Sequence, residues 1–366
     1  MTHKTKVAVI VGARPNFIKA APLLRALRAS KKFNPILIHT GQHYDAAMSG
    51  NFFTDLKLPR PDIFLNVGSG THVEQTAKVM LALEPELMRL RPRLVIVVGD
   101  VNSTIAGALT AKKLGLQIAH VESGLRSFDE TMPEEINRIL TDHISDYLFV
   151  TEPSAIKNLS HEGIPSAKVF FTGNVMIDSL YQNLPKINRS NILQKIGVVK
   201  QKYVVLTLHR PVNVDSLTSL TSLLKAVTGS LGSLKIVFPV HPRTRKNLEL
   251  ISAKNSVDTK NIIFIEPLGY LDFIALVKNS FLVMTDSGGI QEETSVLKIP
   301  CLTLRETTER PITVTLGTNQ IIGSQPRNIA GFIDQIRRRG VKKHRAIPRW
   351  DGHAAERIVK ILHSKL

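Results

Sequence analysis

The sequence predicts an α/β protein built from two Rossmann-like, doubly wound domains in tandem. Short apolar runs alternate with segments of helical period, the signature of βαβ units and a parallel sheet. Polar and charged residues gather where those runs end: Arg14, His43, Asp100, Glu122, His209, His241 and Ser287. The alternation stops in a polar stretch, Leu184 to Lys202, and then restarts. In open parallel sheets the ligand crevice lies outside the strand C-terminal ends, so an inter-domain cleft facing both sets of ends is expected.

The first domain opens with the apolar strand Val7 to Val11. Gly12 to Pro15 turn the chain into a helix, with Pro15 at a first-turn position that tolerates it. Arg14 and Lys19 flank this turn and form a candidate phosphate site, although neither the P-loop nor the GxGxxG spacing is present. Asn34 to Thr40 is the next strand and runs into the polar loop Gly41 to Asp45. Phe52 to Gly70, rich in proline, reads as an irregular connection, and His72 to Leu90 as a helix. Leu94 to Val98 is a buried strand ending in Gly99-Asp100, with Asn102 and Ser103 opening a helix. Gln117 to Val121 ends in Glu122, and Pro133 opens a helix whose first turn carries Glu134 and Glu135. Acids in a first helical turn are ordinary, so on the residues alone Glu134 is as well explained by the helix dipole. Tyr147 to Val150 and Val169 to Phe171 complete this domain, and Gly173 to Leu184 reads as a helix leaving it.

In the second domain, Tyr203 to Leu208 runs into His209, Leu234 to Phe238 towards His241, and Ile262 to Ile265 towards a helix with Phe273 near its start. Phe281 to Met284 leads into TDSGGIQEE (285–293). A strand that opens through Ser287, Gly288 and Gly289 into a helix makes an anion site, because the first helical N–H groups lack partners and the dipole favours negative charge. Glu292 and Glu293 follow within the first turns, where a carboxylate accepts from ribose hydroxyls. Anion cradle and diol acceptor together suggest a nucleotide diphosphate, while an ordinary β–α turn with a solvated acidic helix start accounts for the same residues equally well. Cys301 to Leu304 is a further strand, followed by Arg310, and Asp351 to Leu366 is helical. The expected boundaries are 1–184, 185–345, and a C-terminal helix within 346–366 that packs back on the first domain.

The 366 residues carry a net charge of +18. That excess suits anionic metabolites, nucleic acid or an anionic membrane. No nucleic-acid recognition module is present and aromatics are few. A solvated face accounts for the basic cluster Arg337 to Arg339 and Lys342 to Arg345. Cys301 is the only cysteine, which excludes intramolecular disulfides and a cysteine metal site. No apolar run reaches signal-peptide or membrane-spanning form, and the chain reads as cytoplasmic.

These stretches resemble the non-hydrolysing UDP-N-acetylglucosamine 2-epimerases. The motifs are GARPNFIK, TGQHYD, VVGD, HVESGLRSFD, MPEEINR, TGNVMIDSL, LTLHRP, PVHPRTRK, PLGYLDF, TDSGGIQEE and TTERP, in that order from Gly12 to Arg310 and Pro311. The resemblance implies a glycosyltransferase-B type architecture, with the sugar nucleotide in the inter-domain cleft. It implies no metal, no nicotinamide or other cofactor, a cytoplasmic homodimer and a place in surface polysaccharide synthesis. It puts the UDP site on Arg14, Lys19, Phe273, Ser287, Gly288, Glu293 and Arg310, and the reaction centre on Asp100, Glu122, Glu134 and His209. Where many members have Thr-Arg-Pro-Glu this chain has Ala13-Arg14-Pro15-Asn16, and Val101 stands where many have Thr. Gln42-His43-Tyr44 lacks the Arg through which some members hold a second, activating UDP-sugar.

The implied reaction inverts C2 by anti-elimination of UDP, a 2-acetamidoglucal intermediate and re-addition of UDP. The alternatives are a 2-epimerase of UDP-2,3-diacetamido-2,3-dideoxyglucuronate and a hydrolysing variant releasing N-acetylmannosamine and UDP. Further off are a glycosyltransferase at an anionic membrane and a silent sugar-nucleotide-binding module.

Overall fold

The computed structural model describes residues 4–41, 55, 56, 58–323 and 329–366, the Arg14 side chain excepted. The Gln42-His43-Tyr44 segment and the Arg14 side chain lie outside the described residues. The chain divides into two compact units, residues 1–182 with 348–366, and residues 183–347.

The first unit is built on seven strands: β1 (Thr5–Val11), β2 (Phe33–His39), β3 (Ile63–Phe64), β4 (Leu94–Val98), β5 (Gln117–Ser123), β6 (Tyr147–Val150) and β7 (Val169–Phe171). Their order is β3-β2-β1-β4-β5-β6-β7, and every pairing is parallel. All five residues of β4 are buried, as a central strand covered on both faces requires. The second unit has six strands: β8 (Tyr203–Thr207), β9 (Lys235–Pro239), β10 (Ile262–Ile265), β11 (Leu282–Thr285), β12 (Cys301–Thr303) and β13 (Asn319–Ile321). Their order is β10-β9-β8-β11-β12-β13, again all parallel. The two-domain doubly wound α/β class read from the apolar runs is therefore the observed one.

Each sheet has one point where the strand order reverses, between β1 and β4 in the first and between β8 and β11 in the second. At such a point the connections leave to opposite faces and open a crevice above the strand ends. Gly12 and Gly99 follow β1 and β4, and Leu208 and Asp286 follow β8 and β11. Asp100, His209 and Ser287 thus stand beside the two switch points, and Glu122 and His241 one strand further out.

Two segments differ from their sequence reading. The proline-rich connection before His72 contains β3, a two-residue strand paired with β2 and too short for its apolar pattern to register. The polar stretch after Leu184 is partly helical: one helix runs Val175–Ile187, and a second, Ile192–Ile196, follows. No helix among the described residues is long and apolar enough to cross a membrane.

The C-terminal helix, Ala354–Lys365, belongs to the first unit and packs on the helix Arg14–Ala29. Buried Trp350 donates its indole N–H to the Thr151 carbonyl at 3.0 Å. The Asp178 carboxylate accepts from the first N–H groups of this helix, Ala354 at 3.1 Å and Ala355 at 2.7 Å. Burial nevertheless pushes its pKa up to about 6, against those two bonds. Folding therefore disfavours the ionised form. The stability this group contributes is fully present below its unfolded value near 3.8 and is lost as pH rises through about 6.

Asp178→Asn removes the buried charge and keeps one of the two acceptors. The expected result is a gain of about 1 kcal/mol at pH 8 that vanishes by about pH 4. Urea unfolding of both proteins at the two pH values measures it, and a pH-independent difference would contradict it.

Candidate active site

In the first unit the site begins at the switch point between β1 and β4. The helix Arg14–Ala29 has Ala13 at its N-cap, a residue with no capping side chain. Asn16 supplies the cap: its Oδ1 accepts from Gly12 N (3.2 Å) and Ala13 N (3.3 Å), and its Nδ2 donates to the Val98 carbonyl (2.8 Å). The residue that departs from the family pattern thus ties the β1 turn to the end of β4. One turn further, Lys19 donates to Glu122 Oε1 at 2.6 Å, with both side chains at most 4% exposed. Lys19 is therefore the partner of the carboxylate at the end of β5. Gly99 makes room for it, since a Cβ there would lie 3.2 Å from Lys19 Nζ, and its φ of +71° favours glycine in any case.

Glu122 is not an ordinary strand residue. Its φ is +75°, and the pairing of β5 with β6 slips between Val121 and Ser123. A bulge with a left-handed non-glycine residue re-aims one side chain at a strand end and costs about 1–3 kcal/mol. The neighbouring strand end carries Asp100, which is bound by the buried Arg138 guanidinium. Arg138 also reaches Glu135, at 2.6 Å. Glu135 is spent on structure: it accepts from the N–H groups of Ser127 (2.9 Å) and Phe128 (2.8 Å). None of these bonds involves Glu134, which is half-buried in the first turn of the helix Pro133–Ile144. Of the two adjacent acids, Glu135 is therefore the anchor, and Glu134 takes no part in these bonds.

Both acid-bearing strand ends are held from beneath. His120, on β5, is fully buried. Its Nδ1 meets Asp142 Oδ1 at 2.7 Å and its Nε2 meets the Gly99 carbonyl at 2.8 Å. Asp142 Oδ2 accepts from Gly124 N at 3.0 Å and pairs with Arg126 at 2.8 Å. Burial alone would raise the Asp142 pKa, but His120 and Arg126 outweigh it and hold the carboxyl below its ordinary range. One buried network thus fixes Gly99, before Asp100, and Gly124, after Glu122.

In the second unit the helix Gly288–Leu297 follows β11, with Ser287 as N-cap. The Ser287 side chain makes no capping bond, which leaves the first N–H groups of the helix for an anion. Gly288 lies close over two side-chain ends: a Cβ there would lie 2.6 Å from Glu309 Oε1 and 2.7 Å from Arg310 Nη1 and would displace them. Arg310 Nε donates to Glu292 Oε1 at 2.7 Å, and Arg310 also pairs with Glu309. The expectation that both Glu292 and Glu293 serve ribose hydroxyls is corrected for Glu292, which is fully buried against Arg310. Glu293, 5% exposed, lies beside the Tyr270 hydroxyl, and burial together with this carboxylate pushes the Tyr270 pKa well up. Phe273 is half-buried in the first turn of the helix Tyr270–Lys278.

His209 follows β8, with its Nδ1 2.8 Å from Asp286 Oδ1 and its ring centroid 5.7 Å from that of His241. Asp286, Arg138, His120 and Asp142 were not among the residues singled out from sequence. Only Asp286 left a signal, as an acid between an apolar strand and a Gly-Gly helix start.

A family model described as UDP-N-acetylglucosamine 2-epimerase matches residues 25–363. The UDP-N-acetylglucosamine 2-epimerase of Methanococcus maripaludis is 43% identical over 365 residues, 98% of this chain and 98% of its own length. The UDP-2,3-diacetamido-2,3-dideoxy-D-glucuronate 2-epimerase of Pseudomonas aeruginosa is 42% identical over 323 residues, 87% of this chain and 88% of its own. Among solved structures, the Methanocaldococcus jannaschii UDP-GlcNAc 2-epimerase in complex with UDP-GlcNAc and UDP superimposes with a TM-score of 0.90 at 43% identity. That match covers 98% of this chain and 100% of the other.

Removing the charge at Asp142 leaves His120 Nδ1 and Arg126 facing a neutral group in a buried site. Asp142→Asn is expected to destabilise the protein by about 3 kcal/mol, read as a lowered urea midpoint. A midpoint equal to that of the parent would mean the network carries no such weight.

Proposed function

The chain belongs to the UDP-N-acetylglucosamine 2-epimerase family, and from that premise we propose that it interconverts UDP-N-acetylglucosamine and UDP-N-acetylmannosamine by elimination and re-addition of UDP. The observation that carries the reading is the bulged, left-handed Glu122, ion-paired to Lys19 and next to the Asp100 strand end. Backbone strain of this kind persists only where the surroundings over-determine it, and it gathers at active sites.

The chemistry explains why such an arrangement is needed. The C2 proton of an acetamido sugar has no neighbouring carbonyl to stabilise a carbanion. It becomes removable when the C1–O bond to UDP breaks and positive charge develops at C1. The electron pair of that bond leaves with the β-phosphate, the C2 proton passes to a carboxylate, and a 2-acetamidoglucal remains. UDP re-adds after a proton returns to the other face. Asp100, Glu122 and Glu134 are the acids available for the two faces. Ser287, Gly288 and the helix N-terminus they open hold the diphosphate, and His209 faces the leaving group. Glu293 takes the ribose and Phe273 lies along the nucleoside. Lys19 and Arg310 serve this site through Glu122 and through Gly288.

A second reading has specific support: the Pseudomonas relative, named for a diacetamido-glucuronate substrate, is almost as similar as the Methanococcus one. The two readings share the elimination chemistry and differ in the substituents at C3 and C6.

We also propose a homodimer through the first unit. The helix His72–Leu90 buries Gln75, Val79, Leu83 and Leu87 and exposes a second apolar stripe on its far side, Val73 (80%), Leu81 (72%) and Met88 (59%). Ile136 and Leu140 are about half exposed on the helix Pro133–Ile144, and both helices flank Asn102–Lys113. A second copy of the same face is a self-complementary cover for such a surface.

Proton NMR in deuterated water tests the reaction. Incubation with UDP-N-acetylglucosamine should place deuterium at C2 of an intact UDP-sugar. Exchange only with the diacetamido-glucuronate nucleotide would select the second reading, and release of free sugar would mark a hydrolase. Glu122→Gln and Asp100→Asn should each lower turnover about a hundredfold or more while UDP still binds. Near-normal turnover in either variant removes that residue from the mechanism.

Sedimentation equilibrium tests the assembly. The parent should run as a dimer and the double variant Leu81→Asp, Leu140→Asp as a folded monomer. A dimer of unchanged affinity in the variant would exclude this face.

A further inference from the structure

We propose that Asp286 is the positioning residue for His209, receiving the proton on Nδ1 and so assigning Nε2 as the nitrogen that meets the diphosphate. The inference rests on the UDP-sugar reading of the site and on a geometry confined to the second unit. His209 Nδ1 lies 2.8 Å from Asp286 Oδ1. The same carboxylate, fully buried, accepts from the backbone N–H of His209 (3.1 Å), the N–H of Arg210 (2.9 Å) and the side-chain amide of Asn213 (3.0 Å). An ionised carboxylate has no hydrogen to give, so the proton between it and the ring belongs to Nδ1.

Burial would raise the Asp286 pKa, but His209 first, then the Arg210 N–H and Asn213, bring it down to about 2. The group is therefore ionised throughout the working range. Two other groups face this pair. His241 stacks beside the ring, and its own Nδ1 accepts from Arg243 N at 3.2 Å. The Arg210 guanidinium donates through Nε to the Asp286 carbonyl at 3.2 Å.

The placement gives the pair a function. β8 and β11 are neighbours at the switch point of the second sheet, so the ring and the Ser287 helix start emerge from adjacent strand ends. The ring is 40% exposed, and with Nδ1 turned to Asp286 the opposite nitrogen is the one left for a ligand. As UDP departs, charge grows on its β-phosphate, and an imidazolium can donate a hydrogen bond to it from Nε2. No net proton transfer is required of the ring. Asp286, bonded to Nδ1, prevents the ring from turning.

The test joins a substrate-free readout to a kinetic one. In the parent, long-range ¹H–¹⁵N spectra should give the His209 ring, identified by its loss in His209→Gln, with Nδ1 protonated. In Asp286→Asn the amide N–H faces Nδ1, and the ring should change to the Nε2-protonated tautomer. Turnover should then fall about 10- to 100-fold with KM within about threefold. Asn213→Ala removes a different bond to the same carboxylate and should leave the tautomer unchanged. A parent ring with bare Nδ1 overturns the proposal whatever the substrate is, and so does an Asp286→Asn ring that keeps Nδ1 protonated. If the Asn variant does not fold, the parent tautomer and Asn213→Ala decide. Absence of C2 deuteration by the parent would instead count against the substrate reading alone.

Discussion

A charge taken out of water has to be kept with its opposite, and the candidate site is organised by that requirement. Removing one partner of a buried ion pair costs about 3–5 kcal/mol, because the other is left uncompensated. Glu122 is kept with Lys19, Asp100 with Arg138, and Glu292 with Arg310. In each case the two partners come from different elements, so the electrostatic demand also sets the spacing of those elements. Lys19 projects from the first helix of its unit across the switch point to the end of β5, and Arg138 from a later helix to the end of β4. The geometry of the acids is therefore a consequence of cations that need not touch a substrate.

Strain follows from the same arrangement. A left-handed conformation at Glu122 is unfavourable for any residue with a Cβ. It persists here because the residues around it leave no alternative. Lys19 grips the carboxylate, Gly99 N–H donates to the Val121 carbonyl at 3.0 Å, and Asp142 grips Gly124 N. Relaxing Glu122 to an extended form would return its side chain to the alternation of a regular strand, away from Lys19. The bulge exchanges regular pairing for a side chain aimed along the sheet edge.

Most of the architecture was legible because buried parallel strands are written as unbroken apolar runs, as in Leu94 to Val98. The elements that escaped were those whose pairing gives no periodicity, β3 with two residues and β13 with three. Strand ends were legible for the same reason as strands: a charged residue directly after an apolar run has one edge of the sheet to stand on. Pairing was not legible. Nothing in the spacing connects His120 with Asp142, or Arg138 with Asp100, because those contacts depend on which helix lies over which strand. Arg14 and His43, two of the strand-end residues, fall outside what the structure describes at side-chain level.

The adjacent acids Glu292 and Glu293 show why motif membership does not fix a role. Successive residues on a helix point about 100° apart. One of the pair therefore turns into the unit, where it meets Arg310, and the other towards Tyr270. From the sequence the two are equivalent, since both follow a Gly-Gly helix start at nearly the same distance. What separates them is the Arg310 that arrives from beyond β12. It crosses under Gly288 so closely that a Cβ there would lie 2.7 Å from its Nη1 and displace it. The same glycine that opens the helix also lets a guanidinium lie close beneath it. A substitution at Gly288 would thus disturb the cradle and its support together. A glycine that reads as a phosphate-binding residue is, in this chain, also a packing residue of the ion pair beneath it.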